Sequence, residues 1–211
     1  MPDVPMTPYY ADEAVTLYHG DCRDILPSLG RFDLLCTDPP YGHGEKWSGG
    51  TWADNPIYAD AFKWDAKPVD LALLLSAIDA ADRAIVWGGN YYALPPSRSW
   101  LSWVKTSQMP TMADFELAWT NLDRPSKMIT EDRNPDGKRV HPTQKPLNVM
   151  LWCLSLGGGQ TVLDPFAGSG TTLRAAKDLG RRAVGIEISE KYCGAIASRL
   201  SQNVLDFGGV A

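Results

Sequence analysis

The chain has 211 residues, 44% hydrophobic and 21% charged, which suits one well-buried core and leaves little for a second, so residues 1–211 are read as a single domain. The formal net charge is -5 but unevenly spread: residues 1–80 carry 5 Lys/Arg against 13 Asp/Glu and the remainder 15 against 12, so a basic face for nucleic acid is compatible with an acidic protein. No apolar run approaches the roughly 20 residues that span a bilayer, Met1-Pro-Asp-Val-Pro5 lacks the head of a secretory signal, and Cys22, Cys36, Cys153 and Cys193 form neither Cys-x-x-Cys pairs nor a disulfide-dense pattern. The expectation is a cytoplasmic protein without a membrane partner and without a structural metal site.

In chain order, Val15 to His19 is a short β-leaning run, and Asp24 to Leu29 a brief helix before Gly30. Phe32 to Thr37 is the next strand, and it stops at Asp38-Pro39-Pro40-Tyr41, because two prolines forbid continued ladder pairing. A loop rich in Gly, Trp and Asp covers residues 42–68. A helix follows from Val69 to about Ala81, with Leu71, Leu74, Leu75 and Ile78 at helical spacing. Arg83 to Gly89 reads as a buried strand, and Trp100 to Lys105 with Glu116 to Asn121 as an antiparallel hairpin or edge strands. Residues 122–140 are polar and contain Pro and Gly, which reads as a surface insertion. Pro146 opens a helix to about Leu156, Thr161 to Leu163 is a strand, Thr171 to Leu179 a helix, Arg182 to Ile188 a strand, and Ser189 caps a last helix. Seven strands alternating with helices predict an α/β fold, a three-layer αβα sandwich around a mostly parallel seven-stranded sheet.

Asp164-Pro165-Phe166-Ala167-Gly168-Ser169-Gly170-Thr171-Thr172 lies where a strand hands over to a helix, the place where doubly wound sheets hold ligands. Such a turn is also met as a plain tight turn, but its surroundings favour a nucleoside. Asp164 puts a carboxylate at the strand end, and Glu187 ends the next strand, where an acid can accept from both ribose hydroxyls. Leu173 stands where a dinucleotide fingerprint needs a small residue, and no Gly-x-x-x-x-Gly-Lys-Ser/Thr occurs. The expected ligand is an adenosine with no pyrophosphate to cradle, and a dinucleotide dehydrogenase is disfavoured.

Asp38-Pro39-Pro40-Tyr41 makes a rigid turn at a strand end, able to present a carboxylate, proline carbonyls and an aromatic face. The Asp38 carboxylate and the Pro39 carbonyl can each accept one hydrogen of a planar amino group. Taken alone, the turn is equally readable as a rigid loop with a capping Asp.

Together, Asp38-Pro-Pro-Tyr41 and Asp164-Pro-Phe-Ala-Gly-Ser-Gly-Thr-Thr172 resemble the signature of the S-adenosylmethionine-dependent DNA amino-methyltransferases, in the circularly permuted order of the beta class. His141-Pro-Thr-Gln-Lys-Pro146 and Gly185-Ile-Glu-Ile-Ser-Glu-Lys-Tyr192 are similar to two further motifs of that class. The resemblance implies a Rossmann-like methyltransferase fold and S-adenosylmethionine as cofactor, leaving S-adenosylhomocysteine as product. It implies catalytic roles for Asp38, Pro39, Pro40 and Tyr41. Cofactor contacts would come from Asp21, Cys22, Thr143, Gln144, Lys145, Asp164 to Thr172, Glu187 and Ile188, with Lys145 near the cofactor carboxylate. The implied chemistry is direct in-line attack by a base amino nitrogen after the base is flipped from the duplex. A C5 route would need a Pro-Cys nucleophile, and each cysteine here follows Asp, Leu, Trp or Tyr.

An Asp at the first motif position leans toward adenine N6 in this family, with cytosine N4 as the alternative, and an RNA amino group or an inactive DNA-binding or cofactor-binding regulator behind it. The implied partner is double-stranded DNA, in a bacterial or phage-encoded protein that could act as a homodimer or beside a cognate restriction endonuclease. The region available for target recognition is short. Residues 122–140 offer Arg124, Lys127, Arg133, Lys138 and Arg139, and the loop at 42–68 offers Lys46 and Trp47 beside the catalytic turn.

Overall fold

The computed structural model describes residues 7–43, 65–107, 112–135, 141 and 143–201. Its strands are β1 Tyr10–Ala11, β2 Val15–His19, β3 Phe32–Thr37, β4 Ala81–Trp87, β5 Ser99–Lys105, β6 Phe115–Thr120, β7 Lys127–Glu131, β8 Thr161–Asp164 and β9 Arg182–Glu187. The helices are α1 Cys22–Ile25, continued by a 3-10 turn over Leu26–Ser28, α2 Leu71–Asp79, α3 Leu147–Gly157, α4 Thr171–Asp178 and α5 Glu190–Ser201. No described helix is long and apolar enough to cross a membrane.

The strands form one sheet in the order β1-β2-β9-β8-β3-β4-β6-β5-β7. The five central strands, β2, β9, β8, β3 and β4, pair in parallel, and β6 turns antiparallel against both β4 and β5. Among the described residues nine strands replace the seven read from the sequence. One addition is the two-residue edge β1. The other corrects the reading of 122–140 as a surface insertion, because Lys127–Glu131 pairs in parallel with β5 from Leu101↔Lys127 to Lys105↔Glu131. Its side chains are mostly exposed, so backbone pairing with an open edge, not burial, makes it a strand. The helix read from Val69 starts instead at Leu71, because the Asp70 side chain accepts from the Ala72 and Leu73 N–H groups and caps it there.

Alternating side chains divide between two buried clusters, one on each sheet face. Leu34 and Cys36 of β3, Ile85 and Trp87 of β4 and Val162 of β8 meet α3, α4 and α5 on the first face. Leu35, Ala84, Val86 and Leu163 meet α1 and α2 on the second. This period of two is what a sheet covered on both faces demands. Leu173, the residue that argued against a dinucleotide site, is fully buried. A Cβ on Gly185 would stand 2.6 Å from its Cδ1, so the glycine lets α4 lie close on β9.

The chain runs from β3 to α2 on one face and from β8 to α4 on the other, although β3 and β8 are neighbours in the sheet. Where adjacent strands send their helices to opposite faces, the loops diverge and a crevice opens at the strand C-termini. Every candidate motif ends up at or beside that crevice.

Candidate active site

A cavity of about 380 Å³ occupies the crevice. Its wall includes Asp21 and Cys22 after β2, Glu187 and Ile188 at the end of β9, Asp164 to Ser169 with Thr171 and Thr172 from the end of β8 onward, Thr143 to Lys145 ahead of α3, and Asp38 to Tyr41 after β3. Sequence-distant residues thus meet at one edge, and Gly170 stands directly behind them as the left-handed N-cap of α4, at φ +72°.

On one side the glycine turn is drawn onto β9. Ala167 N–H donates to the Ile186 carbonyl at 2.9 Å and Gly168 N–H to Glu187 Oε2 at 2.8 Å, while Ser189 N–H donates to Oε1 at 2.8 Å. Glu187 is nevertheless 8% exposed. Burial, opposed by these N–H groups and aided by Asp164, pushes its carboxyl up to about 7. Asp164 accepts from Thr37 Oγ1 at 2.7 Å and from Phe166 N–H at 3.2 Å, and burial raises it to about 6. Thr37 immediately precedes Asp38, so this bond ties the two motifs together across β3 and β8.

Asp21 caps α1 by accepting from Arg23 N–H at 2.9 Å and also pairs with the Arg23 guanidinium, which holds its carboxyl low. Burial pushes the Cys22 thiol up to about 11, so it meets the cavity as a neutral, weakly polar group. His141 is buried, with its ring centroid 4.5 Å from that of Tyr192. Desolvation, and then the Lys145 charge, hold it down at about 3, a neutral imidazole at physiological pH.

On the other side, Asp38 Oδ1 accepts from the Tyr41 hydroxyl and Oδ2 from Lys145 Nζ at 2.5 Å. Burial pushes the Asp38 carboxyl up, with Lys145 opposing and Glu116 adding to the push. The Pro40 carbonyl accepts from the Tyr92 hydroxyl and from Val69 N–H at 3.2 Å. The Pro39 carbonyl takes no donor among the described residues. Tyr41 lies over Gly88, which has φ +65°, and its ring centroid is 5.0 Å from that of Tyr91, itself 51% exposed.

The lysine of the His-Pro-Thr-Gln-Lys-Pro stretch lines the cavity, with Nζ bonded to the Asp38 carboxylate and 3.1 Å from Glu116. The recognition candidates are dispersed. Arg124 bonds the Leu156 carbonyl at 3.4 Å, Arg133 bonds the Ala113 carbonyl at 3.3 Å and the Met112 sulfur, and Lys127 stands exposed on β7. Lys46, Trp47, Lys138 and Arg139 lie outside the described residues.

Four contributors escaped the sequence reading. Glu116 sits on a strand with nothing local to mark it. Gly88 and Tyr92 follow β4 with no motif of their own, and Asp65, buried to 3% exposure, accepts from Gly42 and His43 N–H at 2.8 and 3.1 Å. Asp65 braces the residues just past Tyr41 from 22 or more positions away, a contact that spacing does not announce.

Residues 85–198 match the family model described as DNA methylase, for the N6 and N4 methyltransferases. The Type II methyltransferase M.ScaI of Streptomyces caespitosus is 27% identical over 259 aligned positions, spanning 92% of this chain and 83% of that protein. M.HinfI of Haemophilus influenzae is 40% identical over 72 positions, 33% of this chain and 20% of that protein. Among solved structures, the M1.HpyAVI–SAM complex superposes with a TM-score of 0.61 at 23% identity, covering 89% of this chain and 99% of that one. The cytosine-N4-specific PvuII DNA methyltransferase superposes with a TM-score of 0.65 at 16% identity, covering 95% and 91%. With the family model spanning more than half of its length and the crevice carrying both motifs, the chain belongs to the DNA methylase family of amino-methyltransferases.

Proposed function

We propose that this DNA amino-methyltransferase methylates the N6 amino group of adenine in double-stranded DNA. The observation that carries the reading is the placement of Asp38 and of the Glu187–glycine-turn pair on the wall of one cavity. S-adenosylmethionine supplies an electrophilic methyl group on a sulfonium. The residues present fit it: Glu187 is a buried acceptor for ribose hydroxyls, the glycine turn admits close approach, and the cavity is apolar around Phe166, Ile186 and Ile188.

Asp38 and the Pro39 carbonyl accept the two amino hydrogens of the target. Accepting both draws the nitrogen lone pair out of conjugation with the ring and aims it along the line of transfer. The new N–C bond forms as the C–S bond breaks, the electron pair stays on sulfur, and the surplus amino proton leaves to solvent past Asp38. Tyr41 provides a face for the extruded base. Incubation with cofactor and unmethylated DNA, digestion to nucleosides and mass spectrometry is expected to yield N6-methyladenine. N4-methylcytosine would transfer the reading to the other base, and no methylated nucleoside would overturn it.

Glu187 gives cofactor binding a pH signature. Ribose hydroxyls donate to the ionised carboxylate, so binding lowers a value raised to about 7 and releases a proton. Affinity is therefore expected to rise with pH up to about 7 by up to roughly tenfold per unit and then level off. The cofactor-free protein shows the opposite sign, since this carboxyl's contribution to stability is present below its ordinary 4.5 and lost as pH rises through 7. Calorimetric titration from pH 5.5 to 8.5 reads the slope. Glu187→Gln should bind more weakly and flatten it, and an unchanged slope in the variant would remove Glu187 from the ribose.

A further inference from the structure

Four charges alternate through the catalytic side of the crevice. Asp38 Oδ2 is 2.5 Å from Lys145 Nζ, Lys145 Nζ is 3.1 Å from Glu116 Oε2, and Glu116 Oε1 is 2.6 Å from Lys105 Nζ. The side chains are 18%, 4%, 28% and 8% exposed in that order. They come from four segments: the turn after β3, the stretch ahead of α3, β6 and the end of β5. Aromatic rings close over the cations, with Lys145 Nζ 5.5 Å from the Trp87 centroid and 5.9 Å from that of Tyr41, and Lys105 Nζ 5.1 Å from Trp103. Buried ion pairs are weak contributors to stability once desolvation is counted, so the row calls for a role in the chemistry.

We propose that Lys145 and Glu116 act as a pair of positioning residues that set how strongly Asp38 accepts: Lys145 keeps the carboxylate charged, and Glu116 shares the ammonium so that Asp38 retains its acceptor strength. The inference rests on the reading of Asp38 as the acceptor of the target amino hydrogens. A protonated Asp38 would donate where the reaction needs an acceptor, and a carboxylate saturated by its own cation would accept feebly. Glu116 stands between these two outcomes, with Lys105 balancing its charge. The groups around Asp38 are Tyr41 of its own turn, Cys36 of β3, Lys145 ahead of α3, Glu116 of β6, Asp164 of β8 and Tyr92 after β4, with Asp65 beyond Tyr92. Among these close neighbours Lys145 is the one cation, so its removal and that of Glu116 must act on Asp38 in opposite directions.

The test uses carboxyl carbon NMR of the full chain without cofactor, with the Asp38 signal assigned by its loss in Asp38→Asn. Lys145→Met is expected to raise the Asp38 midpoint by about one pH unit or more, and Glu116→Gln to lower it by roughly half a unit or more. At saturating cofactor and DNA, the acid limb of kcat should move the same two ways, and Glu116→Gln should lower the plateau by about threefold to tenfold. Glu116→Gln keeps shape and an acceptor, so it decides the matter if Lys145→Met does not fold. Midpoints that stay put, or that move in the same direction, overturn the pairing. So does Lys145→Met weakening cofactor binding by more than tenfold while leaving the midpoint in place, which would return Lys145 to the cofactor. NMR midpoints that move while the kcat limb does not would uphold the pairing and overturn the role given to Asp38.

Discussion

Asp38→Ala is expected to lower kcat by at least about 10³-fold while cofactor affinity stays within about threefold, because a positioned hydrogen-bonding group at the reacting centre is commonly worth 10² to 10⁴. The separation follows from geometry: Glu187 ends β9, the glycine turn follows β8, and Asp38 lies after β3. The variant should also stay folded. Lys145 keeps Glu116 at 3.1 Å, so the substitution strands no buried cation. Single-turnover transfer of labelled methyl groups, paired with calorimetric cofactor titration, reads both quantities. Activity retained above a tenth of wild type would remove Asp38 from the chemistry, and loss of cofactor binding in step with activity would mean that the two halves of the crevice are not separable.

Gly88→Ala is expected to do most of the same damage from outside the motif. Gly88 has φ +65°, a conformation that costs an L-residue about 1 to 2 kcal/mol. A Cβ there would stand 2.0 Å from Tyr41 Cε1, 2.3 Å from Cζ and 2.7 Å from Cδ1. The ring must therefore leave its seat, breaking its hydrogen bond to Asp38 and withdrawing the face meant for the extruded base. A displacement of about 1 Å at a reacting group can cost about 10²-fold, and base–aromatic stacking is worth about 1 to 3 kcal/mol. A fall of about 10² in kcat/KM for DNA follows, with cofactor affinity within about threefold. Fluorescence of 2-aminopurine at the target position reports extrusion directly, and Tyr41→Ala should show the same defect. Wild-type extrusion in Gly88→Ala would mean that the ring has room to yield.

The parts legible in the sequence are those where residue type dictates backbone. Two prolines end β3 at Thr37, glycines at 168 and 170 take the left-handed conformations of the turn, and the unbroken apolar run Leu34-Leu35-Cys36 declares a strand buried on both faces. The parts that stayed hidden depend on partners far along the chain. Glu116 alternates between Phe115 and Leu117, a pattern that sends a carboxylate to solvent, yet the β4–β6 pairing carries it to a lysine ahead of α3. Lys145 was visible as part of a motif, but its direction was not. Its Nζ meets the part-buried carboxylates of Asp38 and Glu116, which come from two distant segments. Lys127–Glu131 escaped because its strand character comes from the open edge of β5 rather than from its own side chains.

The Thr37–Asp164 bond joins positions 127 residues apart, and the parallel pairing of β3 with β8, Leu34↔Val162 and Leu35↔Leu163, is of like range. Contacts of such range form slowly, since a long loop must close before any interaction rewards it. β8 lies inside the sheet between β9 and β3 and comes late in the chain, so during synthesis β3 and β4 emerge long before the strand that belongs beside β3. An unpaired inner edge, lined by the backbone of Leu34 and Leu35, is thereby open to other chains until residue 164 arrives. Expression at low temperature, which favours slow closure over association between unfinished chains, should raise the yield of soluble protein.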